Sequence, residues 1–323
     1  GGVGADAHIG PAEHTVFTEI FGEFVISQRA DVGIGPYTSD VKNTERSLTM
    51  HPILLVILIL LALFALLLLA LRCRRGHEKW AVLRQYRYAH RGYHDKPRIP
   101  ENSLPAFRRA IARGFGAELD VHLLKDGTLA VFHDSDLRRC ANADGQIEDL
   151  TLAELKALRL EGTDEQIPTF DEVLALFEHA TPLIIELKTA RGNHFALTKA
   201  VCERLDSYTG EYCIESFDPF ALIDLKKLRP AVCRGQLSMN FEKDKAGLPF
   251  YKRFIAGNML LNFLSVPDFI AYKFEDRRGL CARLCTRVWG AQPVYWTIRK
   301  KADMLTGEKE GGIPIFERFD PEK

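Results

Sequence analysis

The sequence has no excess of charge of either sign. Its 323 residues carry 43 Lys and Arg against 43 Asp and Glu. Because proteins that bind nucleic acids usually present a basic surface, the composition gives no support for a nucleic-acid partner. The seven cysteines are odd in number and form no CxxC pair, which argues against a disulfide framework and a zinc site. The chain also shows no internal repeat, and its only low-complexity stretch is one apolar run.

That run, ILLVILILLALFALLLLAL at 53–71, contains no Gly, Pro or charged residue. As a helix it would be about 28 Å long, close to the ~30 Å hydrocarbon core of a bilayer. A cleaved signal peptide is the alternative, but the run exceeds the usual apolar length of about 7–15 residues, and no small-x-small cleavage site follows. The pattern predicts one transmembrane helix with a basic flank at 50–75.

Basic residues are concentrated on the carboxyl side of this run. Residues 32–52 contain two, Lys42 and Arg46, whereas residues 72–91 contain seven: Arg72, Arg74, Arg75, Lys79, Arg84, Arg87 and Arg91. The positive-inside rule therefore predicts a single-pass membrane protein whose carboxyl-terminal part is cytoplasmic.

The first 49 residues show little sustained periodicity and precede Met50. Our hypothesis is that Met50 is the natural start and that residues 1–49 are a non-native upstream segment, or else a disordered one outside the membrane. Intact-mass analysis of the protein from its native host would test this, because a mass that includes residues 1–49 would contradict the hypothesis.

From residue 84 onward, short apolar runs alternate with segments of helical period. Eight runs are predicted strands: 85–91, 115–121, 128–134, 182–188, 211–217, 233–238, 269–273 and 293–298. Strands that alternate with helices over roughly 240 residues favour a (β/α)8 TIM barrel over 84–320. An open doubly wound sheet is the alternative.

The second predicted strand carries Glu118 and Asp120 on one face, because side chains alternate along a strand. Two adjacent carboxylates repel each other, and a bound cation would relieve this; a solvated edge strand is the simpler explanation. The position of other polar residues favours the cation. They lie at strand ends, where barrel active sites form: His90, Arg91, His133, Glu186, Lys188, Ser216, Gln236 and Trp296.

These residue types suit a phosphodiester substrate. Carboxylate oxygens from Glu118, Asp120 and Glu186 favour Mg²⁺ or Ca²⁺ over zinc. Arg91 and Lys188 provide positive charge for a phosphate group.

Two histidines complete the predicted site. His90 and His133 can divide the proton transfers, one taking a proton from the attacking oxygen and the other giving one to the leaving alkoxide. The sequence does not tell which is the acid and which the base.

The chain resembles the glycerophosphodiester phosphodiesterase family, as a membrane-anchored, bacterial-like member. The motifs that carry the resemblance occur in the family's order: HRG (90–92), EN-S (101–103), E-L-D-V-x-L-x-K-D-G (118–127), VFHD (131–134), IPTFDEVL (167–174), ELK (186–188), ESF (215–217) and WTI (296–298). One departure is Arg299, which stands where an Asn often follows. Another is the short segment after the third predicted strand, which leaves no room for a large cap domain. Both bear on substrate size.

The resemblance implies a TIM barrel in which Glu118, Asp120 and Glu186 bind one divalent cation, Mg²⁺ or Ca²⁺. It implies that His90 and His133 are the general acid and base, that Arg91 and Lys188 contact phosphate, that Trp296 lines the glycerol site, and that Glu101 supports the site from behind. A substrate hydroxyl would attack phosphorus to give a cyclic phosphate, which water then opens.

We expect the substrates to be glycerophosphodiesters or lysophospholipids. The alternatives are a barrel that binds phospholipid headgroups without catalysis, and an enzyme that resembles a sphingomyelinase or lysophospholipase D. His94, His122 and His194 are expected to be surface or paired core residues, and Asp134 to orient the loop beside His133. Headgroup, preferred ion and oligomeric state are left open.

Overall fold

A computed structural model describes residues 51–243 and 249–323; the expectations for residues 1–49 and Met50 lie outside this part of the chain. The first helix, α1, spans Pro52–Ala70, with proline in its first turn. It is apolar on every side and has no buried residue, and among the described helices it is long and apolar enough to cross a membrane.

The described residues that follow form nine strands: β1 (Tyr88–Ala89), β2 (Gly116–Leu123), β3 (Leu129–Val131), β4 (Leu183–Leu187), β5 (Tyr212–Ser216), β6 (Arg234–Ser238), β7 (Phe269–Lys273), β8 (Gln292–Ile298) and β9 (Ile313–Phe316). Eight of them are parallel in the order β1-β2-β4-β5-β6-β7-β8-β9, and β9 pairs with β1 to close the sheet. The predicted TIM barrel is confirmed.

Two details of the prediction are wrong. The run 128–134 is not a barrel strand, because β3 pairs antiparallel with β2 after a turn at Asp126–Gly127. The eighth barrel strand is instead β9, which the sequence analysis missed. A proline inside a short run, here Pro314, is usually evidence against a strand.

Helices surround the barrel: α2 (Trp80–Leu83), α3 (Leu104–Ala112), α4 (Arg138–Ala141), α5 (Leu152–Ala157), α6 (Phe170–Phe177), α7 (His194–Leu205), α8 (Pro219–Leu228), α9 (Phe250–Gly257), α10 (Asn262–Ser265), α11 (Leu280–Arg283) and α12 (Lys301–Lys309). A π-helical turn, Leu284–Val288, continues α11. Thr151 and Thr169 form capping boxes with Glu154 and Glu172, which fixes where α5 and α6 begin.

Apolar side chains fill the barrel interior and the layer between strands and helices. A separate cluster joins the end of α1 to the barrel: Leu71 and Cys73 pack with Cys285, and Trp289 Nε1 donates a hydrogen bond to the Leu68 carbonyl at 2.9 Å. Leu71 is fully buried, which contributes about 1.5–3 kcal/mol to folding. All seven cysteines are buried, and none forms a disulfide.

Candidate active site

Three buried carboxylates meet at the carboxyl ends of neighbouring barrel strands. Glu118 and Asp120 project from β2, and Glu186 from β4 lies in register with Asp120. One oxygen from each lies within 4.8 Å of the others, and none of the three residues is more than 7% exposed. The structure therefore brings the predicted metal ligands together.

A single lysine lies between these carboxylates. Lys188 Nζ is 3.0 Å from Asp120 Oδ1 and 2.8 Å from Glu186 Oε1. Burial would raise the pKa of Asp120, but the charges of Lys188, His133 and Arg91 hold it well below its usual value. Burial and the neighbouring carboxylates raise the pKa of Glu118 well above normal. The pocket therefore holds more acidic groups than its cations neutralise, and a divalent cation with oxygen ligands fits it.

The HRG motif forms a left-handed turn that places Arg91 beside this cluster. Arg91 and Gly92 have φ of +54° and +77°, and a Cβ on Gly92 would lie 2.9 Å from Ala106 Cβ, so glycine is required there. In this turn the backbone N–H of Arg91 donates a hydrogen bond to Glu118 Oε2 at 2.9 Å. Arg91 Nε lies 3.7 Å from Asp120 Oδ2 and donates no hydrogen bond to the described residues, so it is available to a phosphate oxygen.

The EN-S motif holds the turn and the cluster in place. Glu101 accepts from Arg91 Nη1 at 2.7 Å and contacts Lys96 and Arg139 at 2.6 and 2.7 Å. Despite burial, these cations hold the pKa of Glu101 far below normal. Asn102 Nδ2 donates to Asp120 Oδ2 at 2.8 Å, and the Ser103 hydroxyl caps α3. All three residues therefore position others.

His90 at the end of β1 is oriented by a residue that the sequence analysis missed. Its Nδ1 lies 2.8 Å from Glu317 Oε2, directly after β9, and its Nε2 lies 3.9 Å from Glu118 Oε2. This network assigns the proton to Nδ1 and leaves the Nε2 lone pair facing the carboxylates. Burial lowers the pKa of His90 to about 4, although the hydrogen bond to Glu317 opposes this change. Arg299, noted above as a departure from the family pattern, donates to Glu317 Oε1 at 2.7 Å.

We expect Glu317→Gln to lower kcat about 10–100-fold, the effect typical of losing a carboxylate behind a functional histidine. The amide can present its NH₂ group to Nδ1 of His90, which favours the tautomer without a lone pair on Nε2. Steady-state kinetics on a glycerophosphodiester would measure this. Glu308→Gln, which breaks an ion pair with Arg87 away from the site, is the control. Equal kcat in both variants would contradict the role of Glu317.

His133 reaches the site from the loop after β3. Its Nδ1 lies 2.5 Å from Asp134 Oδ1, and Arg139 holds the other oxygen of Asp134 at 2.5 Å. Burial opposes ionisation of Asp134, but His133 and Arg139 outweigh it and lower its pKa. The backbone of this loop is also held: His122 Nε2 lies 3.2 Å from the His133 carbonyl, and His122 Nδ1 lies 2.7 Å from Glu148 Oε1. His122 is thus a paired core residue, as expected.

The other strand ends contribute polar and aromatic side chains. The Ser216 hydroxyl donates to the Leu187 carbonyl, and Gln236 Nε2 faces three backbone carbonyls, so both polar groups are bonded to the backbone. Trp296 is half-buried, donates to the Ala271 carbonyl at 3.1 Å, and packs edge-on against Phe217 at 5.5 Å between ring centroids.

A fourth carboxylate, Glu215, lies in register with Glu186 and was not singled out from the sequence. It is 1% exposed, and its Oε2 has no hydrogen-bond partner among the described residues. Burial and the charges of Glu186 and Asp120 raise its pKa well above normal. The two other histidines considered in the sequence analysis lie outside the cluster: His194 pairs with Asp224 on α8, and the buried His94 lies 3.8 Å from Glu317.

Residues 90–316 match the model of the glycerophosphoryl diester phosphodiesterase family. The chain is 36% identical over 159 residues to a glycerophosphodiester phosphodiesterase from Caldanaerobacter subterraneus, which covers 46% of this chain and 65% of that protein. It is 34% identical over 125 residues to a human lysophospholipase D, which covers 35% of this chain and 38% of that protein. The aligned regions are thus less than two thirds of these relatives' own lengths.

Among solved structures, the chain is similar to a phosphodiesterase from Oleispira antarctica in complex with the product sn-glycerol-3-phosphate. The similarity has a TM-score of 0.57 at 26% identity and covers 71% of this chain and 91% of the other.

Proposed function

The chain belongs to the glycerophosphoryl diester phosphodiesterase family, and from that premise we propose that it hydrolyses glycerophosphodiesters to glycerol phosphate and an alcohol with the help of one divalent cation. One observation carries the proposal: two imidazoles, a guanidinium and an ammonium group converge on three buried carboxylates at the barrel mouth. Cleavage of a phosphodiester requires that its negative charge be neutralised, that the phosphate be oriented, and that two protons be transferred. These groups can meet all three requirements.

In this proposal Arg91 and Lys188 orient the phosphate. His90 is assigned as the base, because its lowered pKa keeps the ring neutral at physiological pH and Glu317 leaves the Nε2 lone pair available. It takes the proton from a substrate hydroxyl as that oxygen attacks phosphorus. His133, held through Nδ1 by Asp134, gives a proton to the leaving alkoxide. The resulting cyclic phosphate is opened by water, with the two histidines exchanging roles.

Glu118, Asp120 and Glu186 would hold the cation, and their oxygen ligands support Mg²⁺ or Ca²⁺. When bound, the cation supplies charge neutralisation at the phosphate oxygens. Glu101 would act indirectly, by holding Arg91 against the cluster. Trp296 and Phe217 provide an apolar wall suited to the carbon chain of glycerol.

A lysophospholipid is the second candidate substrate, supported by the human lysophospholipase D among the relatives. We propose that α1 spans a bilayer and that the barrel lies on the cytoplasmic side. The basic residues that follow α1 support the cytoplasmic placement less strongly than their number implies. Three of them, Arg74, Lys79 and Arg87, form ion pairs with acidic residues of the barrel. Arg72 and Arg75 are exposed close to the helix end and remain available to anionic headgroups.

The decisive experiment assays the purified full chain against glycerophosphocholine, glycerophosphoglycerol and lysophosphatidylcholine. Each is tested with EDTA and after adding back Mg²⁺ or Ca²⁺. We expect EDTA to abolish the release of glycerol phosphate or lysophosphatidic acid and either ion to restore it. Turnover that is insensitive to EDTA would contradict the cation's role. If folded protein binds these compounds without turnover, the barrel is a headgroup-binding module. If choline-headgroup lipids are preferred over glycerophosphodiesters, the result would favour the alternative function, an enzyme that resembles a sphingomyelinase or lysophospholipase D.

A further inference from the structure

Arginine is the most frequent residue in the wall of a large cavity outside the catalytic site. It has a volume of about 890 Å³ and lies beside the amino-terminal ends of β8 and β9, where Gln292 and Gly311 are part of its wall. The catalytic carboxylates, by contrast, lie at the carboxyl ends of their strands. Six arginines line the cavity: Arg75, Arg84, Arg277, Arg278, Arg283 and Arg287.

One carboxylate, Glu310, is present in the wall to neutralise them. Arg277 Nε donates to it at 2.7 Å, and Arg278 lies 3.9 Å away. The hydrogen bond from Arg277 is the main reason that the pKa of Glu310 is lowered. Within the part of the chain that the structure describes, no carboxylate lies within ion-pair distance of Arg75, Arg283 or Arg287. The cavity therefore has a large excess of positive charge in a chain with no net charge.

The fold gathers these guanidinium groups instead of dispersing them. Arg283 and Arg287 are four residues apart in the continuous helical segment 280–288, so their side chains are neighbours, an arrangement that like charges disfavour. The side chain of Arg75 packs against Gly290, where a Cβ would lie only 2.9 Å from Arg75 Cδ. Gly290 has a φ of +75°. An anion between the side chains would offset their repulsion, and guanidinium groups bind phosphate oxygens through paired hydrogen bonds.

The cavity is also tied to the end of α1. Arg75 follows that helix by five residues, and the segment with Arg283 and Arg287 is joined to it, because Trp289 donates to Leu68 and Cys285 packs with Leu71. If α1 spans a bilayer, its end lies at the level of the headgroups.

We propose that this cavity binds the phosphate group of an anionic phospholipid from the surface of the bilayer that α1 enters. The proposal rests on the membrane placement proposed above and is independent of the catalytic reaction. Bound lipid would fix the barrel against the membrane in addition to the anchor, since basic residues near an anionic surface are attracted to it.

The test uses the full chain in dodecyl maltoside micelles, titrated calorimetrically with dihexanoyl phosphatidic acid and, separately, with inorganic phosphate. We compare wild type with Arg283→Gln/Arg287→Gln. The matched control, Arg108→Gln/Arg138→Gln, removes two exposed arginines that do not line the cavity. We expect the cavity variant to raise the lipid Kd about tenfold or more, because two charged hydrogen-bond donors are lost, and the control to leave it unchanged.

Three results would overturn the proposal: no lipid binding by wild type, equal lipid affinity in the cavity variant, or inorganic phosphate binding as tightly as the lipid, which would assign the cavity to a free anion. Turnover of glycerophosphocholine is measured in the same preparations. Retained turnover in the cavity variant, with weakened lipid binding, separates this site from the catalytic one. If the wild type shows no turnover, that result counts against the proposed reaction. Lipid binding would still test the proposal for the cavity.

Discussion

Replacing His90 with alanine is expected to lower kcat/KM for a glycerophosphodiester by about 10²–10⁴-fold, the usual contribution of a positioned acid or base. The ring is 12% exposed, its Nδ1 is committed to Glu317, and its Nε2 faces the carboxylate cluster. Its loss removes the group that would accept the hydroxyl proton but leaves Arg91 and the metal ligands in place. KM should therefore change much less than kcat.

The control is His194→Ala, which removes an imidazole that is also bonded to a carboxylate, Asp224, but lies on α7. Steady-state kinetics with circular dichroism would separate a loss of catalysis from a loss of folding. Activity within threefold of wild type in a folded His90→Ala variant would remove His90 from the mechanism.

The pH profile provides a second test of the same assignment. Because burial lowers the pKa of His90 to about 4, the ring is neutral above that pH and can act as a base. As the pH falls through 4 the ring becomes protonated, so we expect kcat/KM to lose about tenfold per pH unit below that point. An acidic limb near 6.5, the ordinary value for histidine, would contradict the buried, neutral state. Return to pH 7 after each measurement checks that inactivation is reversible.

Much of the site could be predicted because its determinants are local. Glu118 and Asp120 share a face by strand alternation alone, and Glu186 follows from the rule that the carboxyl ends of parallel strands meet at one edge. The HRG turn needs Gly92 in a left-handed conformation that other residues rarely adopt. In each case a few neighbouring residues specify where the side chain points.

The parts that were missed depend on pairing between distant segments. Glu317 becomes important only because β9 lies next to β1, which brings it to His90 across 227 positions of sequence. Glu215 begins the ESF motif, but its position beside Glu186 follows only once β4 and β5 are aligned in register. His133 was expected at the end of a barrel strand, but β3 reverses direction and delivers it through a loop held by His122. Register and strand order are set by the whole barrel, so no short sequence window contains this information.

Replacing Asp120 with asparagine is expected to raise the Mg²⁺ or Ca²⁺ concentration for half-maximal activity by about 10²–10³-fold, equivalent to several kcal/mol of cation binding. The three-carboxylate group retains its shape in this variant but loses one negative charge. Asp120 is the member whose pKa is held low, so it is ionised before any cation binds. Its loss also leaves Lys188, whose Nζ lies 3.0 Å from Asp120 Oδ1, with Glu186 alone as a counter-charge.

Glu215→Gln is the matched control. Glu215 is as deeply buried and lies on β5, the strand next to that of Glu186, but it is not one of the three residues whose oxygens lie within 4.8 Å of one another. Burial and the neighbouring carboxylates raise its pKa, which favours the neutral form, and an amide of the same shape resembles that form. Calorimetric titration of both variants with Mg²⁺ and Ca²⁺ would measure the difference directly. If Glu215→Gln weakens cation binding as much as Asp120→Asn does, the cation is held by four carboxylates, and its site extends from β2 and β4 to β5.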